Sequence, residues 1–185
     1  YVGHKWCNYW FHVHHLNDKS GKMSKSKGDF LTVSLLEQKG YNPLVYRLFC
    51  LQSHYRKPLE FSYEVLDNMV AAYDKLVKKI GSLQQEGKIE EDKYKEYREK
   101  FEAALCDDLN TSMAITVLYD MLKADMTDAT KYALAKSYDE VLSLDLTTAH
   151  AQKQQDNGLD AELESFILAK IEERKAAKKE KDFAK

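Results

Sequence analysis

Residues 62–81, SYEVLDNMVAAYDKLVKKIG, decide the fold class of this chain. Ser62 is a residue type that caps helix N-termini, and after it apolar residues recur at spacings of three and four. The members of this stripe are Leu66, Met69, Val70, Tyr73, Leu76, Val77 and Ile80. The segment is therefore predicted to be a long amphipathic helix whose apolar face lies in the core.

The same periodicity continues towards the C-terminus. Further helices are predicted at roughly 90–105, 112–124, 128–143 and 160–181. Asn110 or Thr111 is the expected N-cap of the helix at 112–124, and Thr127 or Asp128 that of the next. Because short loops separate these helices, they are predicted to pack as an antiparallel helical bundle.

Towards the N-terminus the pattern is mixed. The stretch CNYWFHVHHLN (7–17) is rich in aromatic and β-favouring residues and predicts a buried strand. A short helix is expected from Thr32, with Gly40 beyond its end, and a second from Asn42 and Pro43 to about Ser53. HYRKPLEFS (54–62) is interpreted as a connector or short edge strand. The fold class is thus predicted to be mainly α, with a strand, loop and two helices preceding the bundle.

Between the predicted strand and the first short helix lies GKMSKSKGD (21–29). It holds three lysines and two serines between Gly21 and Gly28, whose backbones are conformationally permissive. Ligands often bind where a strand leads into a helix. A lysine about 4 Å from a phosphate oxygen gains roughly 4 kcal/mol at an effective dielectric near 20, before desolvation. The pattern favours a phosphate-binding loop, with a solvated linker as the alternative.

Charge divides the chain in the same way. Residues 1–60 hold nine Lys and Arg against four Asp and Glu, whereas residues 61–185 hold nineteen against twenty-six. The net charge of −2 alone argues against a polyanionic partner, but the basic residues 1–60 reopen that question for this segment. No apolar run is long enough for a membrane span, and no signal peptide is evident, so a cytosolic protein is expected. The three cysteines are far apart, which predicts reduced thiols.

Five stretches resemble one family. Lys22–Ser26 reads KMSKS, the motif of class I aminoacyl-tRNA synthetases. HYRKPLEFS (54–62) is similar to the HYRSPLNYS type of segment in cysteinyl-tRNA synthetases, and NYWFH (8–12) to the strand before their loop. CDDLNTSMA (106–114) resembles their DDDFNTPxA helix start, and ERKAAKKEKDFAK (173–185) their ERNAARKxKDxAxAD run. The order of these landmarks identifies the chain as a member of that family.

The resemblance implies an ATP-binding loop formed by Lys22, Met23, Ser24, Lys25 and Ser26. Lys25 would stabilise the charge on the leaving pyrophosphate, Lys22 would assist, and the two serines would hold the conformation of the loop. The expected substrates are ATP with Mg, cysteine and tRNA(Cys). The family's usual KMSKSLGN differs here at two positions, Lys27 for leucine and Asp29 for asparagine, and Asp29 is still expected to cap the following helix.

The resemblance also implies a division into residues 1–61, the end of the class I catalytic module, and residues 62–185, a helical anticodon-binding-type (DALR-like) bundle truncated at its C-terminus. The chain begins at Tyr1 and its last residues are helix-like, which predicts a piece of a longer enzyme. The nucleotide-binding half and the zinc ligands of the family are expected upstream. The chain alone is therefore expected to be inactive, and the enzyme to be a monomer.

Several alternatives accompany this interpretation. Zinc is one, because His4, Cys7, His12, His14 and His15 lie within twelve residues, although their spacing fits no standard site. Another is a cysteine ligase of low-molecular-weight thiol biosynthesis, which would be indifferent to tRNA. A third is a noncatalytic zinc-binding or helical interaction module with the loop as a linker.

Two charged stretches have a structural and a functional interpretation. Asp107 and Asp108 are expected to favour the positive N-terminus of the next helix, although paired carboxylates also suit acid, base or metal chemistry. The run 170–185 is expected to be a solvated helical face with i,i+4 pairing, with a tRNA-contacting face as the alternative.

Overall fold

The computed structural model describes residues 3–18, 21–22 and 31–148, together with Lys170. The chain divides into two units, residues 1–148 and residues 149–185. The elements of the first are β1 (Leu16–Asp18), β2 (Gly21–Lys22), α1 (Val33–Gln38), α2 (Pro43–Leu51), β3 (Leu59–Glu60), α3 (Tyr63–Gly81), α4 (Glu91–Cys106), α5 (Thr111–Lys123) and α6 (Asp128–Leu142). The prediction of a mainly α fold is confirmed. The helix predicted at 160–181 lies outside the described residues except for Lys170.

Helix starts agree closely with the capping residues in the sequence. The side chains of Ser62, Asn42, Asn110 and Thr127 each accept a hydrogen bond from a backbone N–H in the first turn of their helix. The N-cap of α1 is Thr32, which accepts from the Leu35 amide. The expectation that Asp29 caps this helix was therefore wrong, because the helix begins three residues later than that role requires.

The core lies among the helices. The apolar stripe of α3 is confirmed, since Leu66, Leu76 and Ile80 are buried. Helix α3 packs against α2 and α6, and α4 packs against α5 and α6. The largest buried side chains include Tyr73 and Tyr138, whose hydroxyls donate to the carbonyls of Leu144 (2.8 Å) and Tyr97 (2.7 Å). Burial of these rings therefore leaves no hydroxyl without a partner.

The strand predicted at 7–17 is mostly absent. Only Leu16–Asp18 form β1, and Tyr9, Trp10 and Phe11 are exposed, Tyr9 by 91%. A strand extends only as far as it finds backbone partners, and the described partners of β1 are the two-residue strands β2 and β3. Aromatic residues favour strands through the neighbours they pack against, and residues 9–11 stay largely exposed even though Phe11 stacks on Tyr55.

The small sheet has the order β2-β1-β3. Strand β2 is antiparallel to β1, with Asn17 opposite Lys22, and β3 is parallel to β1, with Leu16 opposite Leu59. The segment interpreted as a connector or edge strand therefore contains β3, which lies beside the strand that leads to β2. The sheet thus fixes where the residues after Lys22 begin.

Candidate functional site

The predicted phosphate loop starts at the edge of this sheet. Lys22 is the last residue of β2 and lies opposite Asn17 in the ladder. The other predicted ATP-binding residues, Met23, Ser24, Lys25 and Ser26, lie outside the described residues. The structure therefore describes only Lys22, where the loop begins (the loop root), and the residues that contact β1 and β2 beside it.

Segment 54–61, which contains β3, contacts β1 on the side opposite β2. The His14 amide donates to the Tyr55 carbonyl (2.8 Å), and the Phe61 amide donates to the Asn17 carbonyl (2.8 Å). The Phe11 ring stacks on the Tyr55 ring with centroids 4.4 Å apart. Two backbone hydrogen bonds and a stacked pair thus join residues 11–17 to this segment.

The same segment is bound on its far side by Asp108, in the corner between α4 and α5. The Tyr55 hydroxyl donates to Asp108 Oδ1 (2.6 Å), and the Arg56 guanidinium lies 3.0 Å from Oδ2. The His54 ring nitrogen Nε2 is 3.1 Å from the Asp108 carbonyl oxygen. One acidic residue therefore meets three consecutive side chains that precede β3.

The backbone at this corner is unusual, because Asp108 and Leu109 both have positive φ, 52° and 54°. Aspartate tolerates the left-handed region better than most residues, since its short polar side chain bonds locally. Asp107 ends α4, and Asn110 caps α5. The expectation that Asp108 serves the N-terminus of the next helix was wrong: its carboxylate points to Tyr55 and Arg56 instead.

The charge interaction between Arg56 and Asp108 is weak because both side chains are exposed to water. Hydrogen bonding to Tyr55, followed by the charge of Asp108, raises the pKa of the Arg56 guanidinium, which stays charged. The Arg56 side chain is 67% exposed, so its ion pair with Asp108 is screened by water. The Tyr55–Asp108 hydrogen bond has a neutral donor, so it is less sensitive to salt than this ion pair.

A cavity of about 370 Å³ lies beside this cluster. Its walls include Phe11, Leu16, Tyr46, Leu59 and Leu109. Burial raises the pKa of Tyr46 to about 12 and also raises the pKa of the nearby Cys50 thiol. Both groups are therefore neutral near pH 7, and the walls they contribute are uncharged.

The histidine-rich front does not assemble a metal site in the part of the chain that the structure describes. Within residues 3–18, 21–22 and 31–148, no three His, Cys, Asp or Glu side chains come together in a way that could hold a metal ion. The Cys7 thiol donates to the Tyr9 carbonyl (2.9 Å).

The cations of the helical part differ in whether they form ion pairs. Three of the four on α4 pair along that helix, with Lys100–Glu96 at 2.7 Å, Arg98–Glu102 at 2.8 Å and Lys95–Glu99 at 3.9 Å. Lys78 and Lys79, in the last turn of α3, are exposed and form no ion pair with the other described residues. They are the more available partners for an external anion, although cations at this end of a helix also complement its dipole.

The sequence predicted the phosphate loop, but it did not predict that Tyr55 and Arg56 contact Asp108. The sequence did contain a clue to this contact. The cluster joins residues 54–62 to residues 106–114, and both of these stretches resemble segments of the synthetase family. Their contact spans 53 residues of sequence and is not encoded in any local pattern.

Two family models match parts of this chain. The family model "tRNA synthetases class I (C) catalytic domain" matches residues 1–72, and the model "DALR domain" matches residues 100–144. Residues 1–72 are therefore similar to the catalytic domain of class I aminoacyl-tRNA synthetases, and residues 100–144 to DALR domains.

The similar curated proteins narrow the class. "Cysteine--tRNA ligase" of Novosphingobium aromaticivorans is 40% identical over 95% of this chain and 37% of its own length. "Cysteine--tRNA ligase 1" of Burkholderia lata is 34% identical over 98% of this chain and 37% of its own length, and the Finegoldia magna ligase 34% over 100% and 41%. Over nearly its whole length, the chain is thus similar to proteins named cysteine--tRNA ligase.

The chain spans about two fifths of the length of these relatives, 37% to 41%. Among the helices of the described residues, none is both long and apolar enough to cross a membrane.

Proposed function

We propose that this chain forms part of a cysteine--tRNA ligase, which uses ATP to activate cysteine and transfers the cysteine to tRNA(Cys). One observation carries this assignment. The sequence KMSKS, residues 22–26, starts at the last residue of β2, inside the segment matched by the class I catalytic-domain model. A short cationic loop at a strand end is suited to contact a triphosphate.

Lys22 and Lys25 supply the charge in this proposal. Lys25 stabilises the negative charge that develops on the departing pyrophosphate as the cysteine carboxylate attacks the α-phosphate, and Lys22 assists. Met23, Ser24 and Ser26 complete the ATP-binding loop, and Mg accompanies the ATP. Such catalysis depends on placing positive charge where negative charge develops, without a covalent role for the loop.

Within the chain, residues 1–61 contribute the end of the catalytic module and residues 62–185 a helical tRNA-binding part. The DALR match at 100–144 supports the second assignment. The net negative charge of residues 61–185 does not oppose it, because only contacts within a Debye length, about 8 Å at physiological salt, count strongly. Lys78 and Lys79 are exposed cations in this part.

Other features belong to the intact enzyme. Zinc, which serves the selection of cysteine, is proposed to bind ligands outside this chain. The enzyme is proposed to act in the cytoplasm as a monomer. The 185-residue chain alone is not expected to catalyse ATP–pyrophosphate exchange. Such activity would contradict the proposal that the chain holds only the end of the catalytic module.

The test is a binding titration of the chain against a tRNA(Cys) transcript and a transcript with an altered anticodon, each at about 50 and 200 mM salt. Preference for the cysteine anticodon supports base recognition by these helices. Equal, weak and salt-sensitive binding to both places the specificity outside this chain, and no binding contradicts its assignment as a tRNA-binding part.

The same preparation tests the alternatives. A cysteine ligase of thiol biosynthesis predicts indifference to tRNA. A noncatalytic zinc module predicts stoichiometric zinc in the purified chain, measured by elemental analysis.

A further inference from the structure

Tyr55 is held at both of its ends by different parts of the molecule. Its hydroxyl donates to Asp108 Oδ1 (2.6 Å), and its carbonyl accepts from the His14 amide (2.8 Å). The first bond leads to the corner between α4 and α5. The second leads to the segment that becomes β1. Tyr55 therefore lies on a continuous path of hydrogen bonds between the helical part and the small sheet.

That path continues to the root of the phosphate loop. His14 is two residues before β1, and Asn17 of β1 lies opposite Lys22, the last residue of β2. The Phe61 amide bonds the carbonyl of the same Asn17 (2.8 Å). A shift of segment 54–61 therefore acts on Asn17 from one side and on His14 from the other, and both lie next to the loop root.

Asp108 provides the anchorage of this path in the helical part. Within the part of the chain that the structure describes, the hydrogen bonds and ion pairs between residues 54–56 and the α4–α5 corner all end on Asp108. Asp107, the adjacent acidic residue, instead contacts the Asn110 side chain at 3.4 Å. The two neighbouring aspartates therefore have separable roles.

We propose that Asp108 is a positioning residue for the phosphate loop. It fixes Tyr55 and Arg56 relative to helices α4 and α5, and through them it sets the position of β1 and of the strand from which Lys22–Ser26 depart. A displacement of these helices, such as one imposed by a bound nucleic acid, is thereby transmitted to the loop. This inference rests on the proposed phosphate-binding role of the loop.

Hydrogen–deuterium exchange of the 185-residue chain measures the positioning directly. Asp108→Ala is expected to raise exchange at the His14 amide and in β1 and β2 about tenfold, because the Tyr55 anchor is lost. Exchange in the buried parts of α5 and α6 is expected to stay within twofold. Tyr55→Phe, which removes only the hydroxyl, is expected to give the same pattern at smaller amplitude.

Asp107→Asn is the matched control, because it neutralises the neighbouring carboxylate without touching residues 54–56. It is expected to leave exchange at His14 unchanged. Unchanged exchange in Asp108→Ala would overturn the inference. A uniform rise that includes α5 and α6 would also overturn it, since that is the signature of a general stabilising role.

Inorganic tripolyphosphate, titrated calorimetrically into the same variants, links the positioning to the loop. Asp108→Ala is expected to weaken its binding several-fold, and Asp107→Asn to leave it unchanged. Faster exchange in β1 and β2 with unaltered tripolyphosphate affinity would overturn the role of Asp108 in positioning the loop. Failure of the wild-type chain to bind tripolyphosphate would contradict the proposed function of the loop, while the exchange pattern would still decide whether Asp108 positions its root.

Discussion

The hydroxyl of Tyr55 lies 2.6 Å from Oδ1 of Asp108, although the two residues are 53 positions apart. Tyr55 belongs to the segment before β3, and Asp108 belongs to the turn between α4 and α5. The contact joins the part of the chain matched by the class I catalytic-domain model to the part matched by the DALR model. Its strength therefore bears on how the two parts act together.

A double-mutant cycle of Tyr55→Phe and Asp108→Asn is expected to show a coupling of about 1 kcal/mol in the free energy of unfolding. The hydroxyl donates to a charged acceptor, but Asp108 is 42% exposed, which limits the gain. Urea denaturation at low and high salt measures it. The parallel cycle of Arg56→Ala with Asp108→Asn provides the comparison, since its coupling is expected to vanish in about 1 M salt. If salt lowered both coupling energies equally, the Tyr55–Asp108 hydrogen bond would be no less sensitive to screening than the Arg56–Asp108 ion pair, and the prediction would be wrong.

Local patterns were sufficient to predict the helices. Ser62, Asn42 and Asn110 were recognisable as caps because their side chains bond the turn that directly follows them. The stripe of α3 was recognisable because helical spacing is a property of the sequence alone.

Two of the wrong predictions share one physical cause. The strand predicted at 7–17 needed backbone partners, and the described partners are only two residues long each. The role of Asp108 needed a neighbour from a distant segment. Neither condition is encoded near the residues concerned, so propensity at 7–17 and helix-dipole reasoning at Asp108 gave the wrong answer. The phosphate-binding role of the loop stays a prediction, because residues 23–30 lie outside the described residues.

Thr127 caps α6 and is expected to contribute more stability than Thr32, which caps α1. The Thr127 hydroxyl also donates to the Lys88 carbonyl (2.9 Å), and thereby joins α6 to the segment before α4. Thr127→Ala is expected to lower the free energy of unfolding by about 2 kcal/mol, and Thr32→Ala by about 1 kcal/mol. Urea denaturation of both variants checks this, with Thr127→Ser as the control that keeps the hydroxyl. Equal losses for the two alanine variants would show that the Lys88 bond adds nothing.

Buried tyrosines are expected to make the fold sensitive to alkali. Burial is the main cause that raises the pKa of Tyr73, whose hydroxyl bonds the Leu144 carbonyl. Below the unfolded pKa near 10 both states keep the proton, so Tyr73 gives no pH dependence there. Above it the unfolded state loses the proton first, and the free energy of unfolding falls by up to about 1.4 kcal/mol per pH unit for this group.

The test compares Tyr73→Phe with wild type in urea at pH 9, 10 and 11. The variant is expected to be less stable at pH 9, by about 1 kcal/mol, because the hydrogen bond is lost. That gap is expected to narrow as pH rises, since phenylalanine has no proton to lose. Tyr9→Phe is the control, because Tyr9 is 91% exposed and should leave the pH profile unchanged. If the difference in the free energy of unfolding between Tyr73→Phe and wild type stayed constant from pH 9 to 11, the raised pKa of Tyr73 would be contradicted.

Lys78 and Lys79 are expected to contribute more to tRNA binding than Lys95 and Lys100. The second pair already contacts Glu99 and Glu96, whereas the first forms no ion pair with the other described residues. The variant Lys78→Ala/Lys79→Ala should weaken binding of a tRNA transcript and lower the slope of log affinity against log salt by about one to two. Lys95→Ala/Lys100→Ala is the matched control and should change the slope by less than about 0.5. Equal slopes for the two variants would exclude a special role for the end of α3.

Lys25→Ala is the most direct test of the loop, and it is best made in the intact ligase. The variant is expected to lower cysteine-dependent ATP–pyrophosphate exchange roughly 10² to 10³-fold, by analogy with the loss of one donor to a developing oxyanion. The loss should fall mainly on kcat, because the charge that Lys25 meets is larger in the transition state than in bound ATP.

Lys27→Leu is its control within the same loop. It removes the same charge two residues further on, at a position where leucine is the family's usual residue, and should change the rate by no more than a few-fold. If Lys25→Ala kept exchange within about threefold of wild type, Lys25 would not be the residue that stabilises the departing pyrophosphate. If Lys27→Leu were as damaging as Lys25→Ala, the loop would act through its net charge and not through a lysine placed at the pyrophosphate.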